Sequence, residues 1–271
     1  MPTTIFTFVR HGESMDNLKQ VWAGWKESPL SNHGMNQANA LAASFSSERF
    51  TAILTSPLNR ALTTASAIHD RQAPPRPPLI QNDLLKEQHF GEGEGKPYTV
   101  ARTGKTATSA SAEQQNGTYA RNRGDDERFP GGESRREVRE RADKTVEELL
   151  LPYIGLQEED ERPIHVLVVS HGIYIRHLVG AVVKRGTLAK ASTERITLHN
   201  TGWVRVVVEK EGDKLIMSVT EVNRHDHLNS LVRQKGGIGS SAHDPRQKDL
   251  RGFFGGEKTR TISSQKRSER R

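Results

Sequence analysis

Two apolar stretches far apart in the chain end in the same dipeptide, and this repetition constrains the fold more than any other feature. Ile5-Phe6-Thr7-Phe8-Val9 is β-branched or aromatic throughout and runs into Arg10-His11-Gly12-Glu13. His165-Val166-Leu167-Val168-Val169 runs into Ser170-His171-Gly172. Short apolar runs without polar alternation read as buried strands. In an open α/β sheet, ligands bind beyond the carboxyl ends of the strands. Two strands ending in His-Gly therefore bring two imidazoles toward one pocket. Glycine in such a loop lets the backbone turn sharply and lets a ligand approach it.

Helical patterns fill the intervals. Glu13 to Gln20 starts a short helix or stays irregular, and Trp22 and Trp25 follow in a loop, where packing is the favoured reading. Ser31 is an N-cap candidate for a helix to about Ser47, with Ala38, Leu41, Ala42 and Phe45 on one face. Ala52–Thr55 reads as a strand. Ser56-Pro57 then supplies an N-cap and a first-position proline for a helix striped by Leu58, Ala61, Leu62, Ala65 and Ile68. Arg60 lies off that stripe, in the first turn and directly after a strand end. Residues 73–78 are a proline-rich connection and Leu79-Ile80 a short strand. Residues 84–95 hold three carboxylates among three glycines, which reads as a loop. Residues 101–128 form a polar insertion. Pro130-Gly131-Gly132-Glu133-Ser134 introduces a long helix ending near Pro152, and another helix follows Gly172. Val204–Val208 and Leu215–Thr220 fit a hairpin. The whole is expected to be an α/β three-layer sandwich with a mostly parallel central sheet flanked by helices.

Charge locates the boundary of that unit. The net charge is +7, yet residues 233–271 hold 11 Lys/Arg against 4 Asp/Glu. The other 29 basic and 29 acidic residues cancel. Residues 1–232 are thus expected to be one neutral domain, and 233–271 a basic, disordered tail able to contact nucleic acid or an anionic surface. A general nucleic-acid coat is not what this distribution describes. There is no cysteine, so disulfides and thiolate metal sites are excluded. The N-terminus enters a strand at once and no apolar run approaches membrane-spanning length, so the expected location is the cytoplasm, with the nucleus as a second compartment.

Several of these pieces together resemble the histidine phosphatase superfamily, the phosphoglycerate mutase-like fold. They are Arg10-His11-Gly12-Glu13, Asn17, Ser56-Pro57-Leu58-Asn59-Arg60-Ala61, Glu87 in Leu85-Lys86-Glu87-Gln88-His89-Phe90-Gly91, and Val169-Ser170-His171-Gly172. The resemblance spans about residues 3–230. Within the family, His171-Gly172-Ile173-Tyr174-Ile175-Arg176, Asn200-Thr201-Gly202, Asp226-His227-Leu228-Asn229 and Pro130–Ser134 look most similar to the p53-inducible, regulator-type fructose-2,6-bisphosphatases.

The resemblance implies a phosphatase acting on small phosphate monoesters, with fructose 2,6-bisphosphate and related sugar or glycerate phosphates as the indicated class. It implies catalytic roles for His11 as nucleophile, Glu87 as proton donor, and His171. It assigns phosphate contacts to Arg10, Asn17, Gly24, Arg60 and Gly172. A neutral imidazole suits the first role, since its ordinary pKa lies near 6.5. No cofactor or metal is needed for this scheme, and His225-Asp226-His227 reads as a polar surface run. The alternatives are a phosphoglycerate mutase and a catalytically weak protein that binds a phosphorylated ligand. Family mutases carry an adjacent arginine pair after the acidic loop. Arg135-Arg136 lies past the Gly-Gly-Glu-Ser helix start and is not a convincing equivalent, which favours the phosphatase.

Overall fold

Strand β1 (Thr3–Arg10) and strand β4 (Ile164–Ser170) lie side by side and parallel, with Val9 opposite Val169 and Arg10 opposite Ser170. The computed structural model describes residues 2–97, 124–158, 160–190, 196–244 and 246. In sequence order the other strands are β2 (Ala52–Thr55), β3 (Leu79–Gln81), β5 (Thr187–Lys190), β6 (Trp203–Glu211) and β7 (Lys214–Arg224). They form one seven-stranded sheet in the order β3-β2-β4-β1-β6-β7-β5. The pairings are parallel except β1 with β6 and β6 with β7. The expected α/β architecture with a mostly parallel sheet is therefore present.

Alternation along the central strands feeds two cores. Phe6 and Phe8 of β1, with Val166 and Val168 of β4, face one side. Val9, Leu167 and Val169 face the other. Because both faces are covered, both strands read as continuous apolar runs. On the first face lie α4 (Arg135–Thr145) and α5 (Gly172–Val183), through residues such as Val138, Ala142, Ile175 and Leu178. On the second lie α2 (Asn32–Ser44) and α3 (Asn59–Asp70), through Ala38, Leu41, Ala61, Ala65 and Ile68. A short α1 (Met15–Lys19) follows β1, with a capping box between Ser14 and Asn17.

Ser31 caps α2 by accepting from the Gly34 amide, and Ser134 caps α4 in a second capping box with Glu137. Helix α3 departs from the expected start. It begins at Asn59, with Leu58 as an extended N-cap that makes no side-chain cap bond. Ser56 Oγ accepts from the Leu58 amide at 3.3 Å and lies 2.9 Å from His171 Nε2. The long helix is regular only to Thr145; a π turn over Val146–Leu150 and a 3₁₀ turn over Leu151–Tyr153 carry it past Pro152. Strand β5, Thr-Leu-Ala-Lys, carries no readable apolar pattern and was not anticipated.

Part of the stretch expected to be a disordered tail is bonded to the rest of the chain. Arg233 pairs with Glu13, the Ser241 carbonyl accepts from Asn32 N–H at 2.9 Å, and His243 N–H donates to the Leu30 carbonyl at 2.8 Å. Residues 233–243 thus form a strap over the start of α2, held by backbone bonds that composition does not reveal. Most of the polar insertion (101–123) and the tail from 247 lie outside the described residues. The described 124–128 segment pairs with α4, Asp125 with Arg139 and Asp126 with Arg136. Among the described residues no helix is long and apolar enough to cross a membrane.

Candidate active site

The two histidines meet because β1 and β4 are adjacent and end level with each other. The rings of His11 and His171 stand 5.1 Å apart, and both are buried. Strand β2, on the far side of β4, ends at Thr55 opposite Val169, which delivers Ser56 to His171 and places Arg60 in the first turn of α3. A side chain on Gly12 would put Cβ 2.6 Å from the Gly34 carbonyl oxygen, so only glycine lets α2 approach the nucleophile loop this closely.

His11 Nδ1 lies 2.7 Å from the Gly12 carbonyl oxygen. A carbonyl only accepts, so Nδ1 carries the proton and Nε2 the lone pair. Burial, then the charges of Arg60 and Arg10, hold His11 well below its ordinary pKa. Burial, Arg60 and His11 do the same to His171. Both rings are neutral in a site that already holds guanidinium charge.

Arg60 is completely buried. Its Nη2 donates to the Gly24 carbonyl at 2.6 Å and its Nη1 to the Lys26 carbonyl at 3.0 Å. Gly24 has φ +51°, and a Cβ there would collide with the Glu94 carboxylate at 2.1 Å. Gly24 therefore serves the site by aiming Arg60 as well as by lining the cavity. Arg10 is anchored by donation to the Leu198 carbonyl at 2.7 Å. Gly172 allows this arginine's close passage, with only 3.3 Å from its virtual Cβ to Arg10 Nε. Two buried polar atoms here have no hydrogen-bond partner, Arg60 Nε and His171 Nδ1. Leaving such groups unpaired costs about 1–3 kcal/mol each, which an oxyanion seated between them would relieve.

Glu87 sits at the start of α5 and takes up its free amides. Its carboxylate accepts from Tyr174 N–H at 2.9 Å, from Ile173 N–H at 3.3 Å and from Gln88 N–H at 2.9 Å. Asn17 lines the same cavity. Its Oδ1 accepts from Ser14 N–H and from Asn200 Nδ2, each at 3.1 Å, so its remaining donor is Nδ2. The cavity holds about 460 Å³, and Arg10, His11, Asn17, Gly24, Arg60, Glu87 and Gly172 all lie on its wall.

Other residues that build the site carry no local signal. Arg141 forks onto Glu133 with two 2.8 Å bonds and also donates to the carbonyls of Leu84, Lys86 and Glu87. Trp25 Nε1 donates to the Glu87 carbonyl at 2.7 Å, so this tryptophan braces the acidic loop rather than merely packing. His89 stacks on Trp25 at 4.6 Å, outside the cavity wall. Asn200 Nδ2 also donates to the His11 carbonyl at 3.1 Å. His227, read as part of a surface run, bonds inward to Thr201 at 2.9 Å, and Thr201 N–H donates to the Arg10 carbonyl. Arg135, set aside on sequence grounds, lines the cavity together with Arg176. Among the described residues no group of three or more His, Asp or Glu is arranged to hold a metal.

A doubly covered, mostly parallel sheet that sets two neutral imidazoles, two guanidiniums and a carboxylate at its strand ends defines a class of phosphoryl-handling enzymes. Comparison with known proteins names it: residues 6–220 match the Histidine phosphatase superfamily (branch 1), and the chain belongs to that family. It is 33% identical over 189 residues to a 2,3-bisphosphoglycerate-dependent phosphoglycerate mutase of Rhizobium etli, covering 67% of this chain and 82% of that one. It is 27% identical over 272 residues to the fructose-2,6-bisphosphatase TIGAR of Xenopus tropicalis, covering 83% and 94%. Among solved structures, a mycobacterial glucosyl-3-phosphoglycerate phosphatase superposes with a TM-score of 0.59 at 24% identity, over 82% of this chain and 99% of that one, a likeness of fold.

Proposed function

We propose that this chain hydrolyses small phosphate monoesters in two displacements, with His11 as the covalent carrier of the phosphoryl group. The observation that carries the reading is the Nδ1 bond of His11 to Gly12, which leaves a neutral Nε2 as nucleophile. Nε2 attacks phosphorus, the ester P–O bond breaks, and Glu87 gives its proton to the departing oxygen. The Glu87 carboxylate then takes a proton from water, whose oxygen attacks the phosphohistidine and releases inorganic phosphate. Ester and water become alcohol and phosphate, and Glu87 ends protonated as it began. Splitting the reaction this way replaces one difficult step with two easier ones.

Arg10, Arg60 and His171 surround the equatorial oxygens, where charge is greatest in the transition state. The Ser56 hydroxyl donates to His171 Nε2, which leaves the proton on Nδ1 and turns that nitrogen into a phosphate donor. Asn17 Nδ2 adds a further donor.

The named relatives set the substrate panel: fructose 2,6-bisphosphate, 2,3-bisphosphoglycerate and 3-phosphoglycerate beside a generic aryl phosphate. Release of phosphate that falls by about 10³-fold or more in His11→Ala supports the reading. Folded protein that releases none, yet converts 3-phosphoglycerate to 2-phosphoglycerate, would replace it with a mutase, a reading favoured by the mutase relatives. We place the activity in the cytoplasm, with the nucleus as second compartment, on the absence of cysteine and the basic tail. Contact of that tail with nucleic acid has no support among the described residues.

A further inference from the structure

Arg60 is aimed by the carbonyls of Gly24 and Lys26, yet glycine does not fix its own carbonyl. Without a Cβ, Gly24 leaves the plane of the peptide that follows it free to rotate. That plane must be held from outside if its oxygen is to keep a guanidinium in one place. The holding group is Glu94. Its Oε1 accepts from Trp25 N–H at 2.7 Å, and this N–H belongs to the same peptide unit as the Gly24 carbonyl. A planar trans peptide points its N–H and its C=O in opposite directions. Fixing the N–H on Glu94 therefore fixes the C=O on Arg60 Nη2, 2.6 Å away.

We propose that Glu94 is a positioning residue for the transition state, holding Arg60 against the phosphoryl oxygens through the Gly24–Trp25 peptide. This rests on the phosphatase reading and adds to it a residue set behind the cavity wall.

The carboxylate is itself held. Oε1 also accepts from Phe90 N–H at 3.1 Å, and His89 Nε2 lies 3.6 Å from it. The side chain is only 13% exposed, so water competes weakly for these bonds. Glu94 follows the 3₁₀ turn Gly91–Gly93, with its own N–H on the Gly91 carbonyl at 3.1 Å, which fixes where the side chain starts. An N–H bonded to a charged acceptor makes a stronger bond than one bonded to a neutral group. It also polarises its peptide, so the carbonyl on the other side accepts more strongly from Arg60. Two backbone bonds join the same loops without help from Glu94. Gly95 N–H donates to the Trp22 carbonyl at 2.8 Å, and Trp22 N–H to the Lys96 carbonyl at 3.0 Å. Removing the carboxylate thus loosens one peptide and leaves the loops joined.

Glu94→Gln keeps an Oε1 acceptor, whereas Glu94→Met removes it at similar length. On benzyl phosphate, E94M should lower kcat about tenfold with KM within about twofold, and E94Q should lose under about threefold. In Arg60→Ala, which has no guanidinium to aim, E94M should cost under about twofold more. Urea unfolding checks that each variant is folded. E94Q as slow as E94M, E94M at the wild-type rate, or the same tenfold loss with and without Arg60 would overturn the proposal. Equilibrium binding of orthovanadate, a five-coordinate mimic of the transition state, separates it from the phosphatase reading. Binding weakened about tenfold by E94M, little by E94Q, and no further by E94M in Arg60→Ala upholds the aiming of Arg60 even if no ester is hydrolysed. Ester turnover that E94M leaves intact overturns the role of Glu94 alone. A wild type that neither hydrolyses an ester nor binds orthovanadate overturns both.

Discussion

Ser56 Oγ stands 2.9 Å from His171 Nε2 and 3.3 Å from the Leu58 amide. With His171 Nδ1 proposed as a donor to phosphate, the neutral ring accepts the Ser56 proton at Nε2, so on this reading the hydroxyl holds the tautomer of the second histidine. Ser56→Ala should therefore lower kcat about tenfold, one net hydrogen bond's worth, with KM nearly unchanged; steady-state kinetics on benzyl phosphate check this. Arg60→Ala, which removes a preorganised donor to the transition-state oxygens, should cost about 10²–10³ in kcat. His11, Arg10 and His171 were legible in sequence because each directly abuts a buried strand, whose end fixes where the side chain stands. Ser56 was legible only as a helix cap, since its bond to His171 depends on β2 lying beside β4. Asn200 was missed as a site residue for the same reason: its partners His11 and Asn17 lie far away along the chain and come close only in the fold.

The acidic loop is the element that the rest of the site braces. Its residues 84–87 have little regular structure, yet Arg141 bonds three of their carbonyls while forking onto Glu133. Arg141 and Glu133 are only 11% and 19% exposed, so solvent screens the pair weakly. Arg141→Met leaves the Glu133 carboxylate without its partner and should destabilise the protein by about 3–5 kcal/mol, measured by urea unfolding. The same variant should reduce kcat more than KM, because Glu87 loses its bracing while the phosphate cradle remains. Helix α4 presents Arg141 through its Ser134 capping box, and Ser134→Ala should cost about 1 kcal/mol. The Gly-Gly-Glu-Ser signal announced that helix correctly. What α4 does for the loop needed the sheet's order. Strand β5 shows the converse limit, since Thr-Leu-Ala-Lys has neither alternation nor a buried run and owes its state to pairing with β7.

Across the whole molecule, acid should be the main solvent threat. His165 is pushed down to about 3 by burial and then Arg205, and His177 and His227 to about 4, chiefly by burial. Each is uncharged when folded but takes up a proton when unfolded below about pH 6.5. Stability therefore rises with pH between about 4 and 6.5 and falls on acidification, by up to about 1.4 kcal/mol per pH unit for each such group; urea midpoints at pH 5, 6 and 7.5 should show the slope flattening above 6.5. The C-terminal strap ties distant parts together through Glu13, next to the nucleophile loop. Truncation after Val232 should lower Tm by roughly 3–8 °C, for a loss of about 1–2 kcal/mol, whereas truncation after Arg246 should leave turnover unchanged. Composition marked residues 233–271 as one basic stretch, and the bonds of Ser241 and His243 to Asn32 and Leu30 show that part of it is held against the start of α2. The central claim is that His11 carries the phosphoryl group, and rapid acid-free quenching of one turnover with ³²P-labelled benzyl phosphate tests it most directly. The account predicts label on the protein that is stable in alkali, labile in acid, located on His11 and absent from His11→Ala. Steady release of phosphate with no labelled protein at any time, or label that persists in His11→Ala, would contradict it.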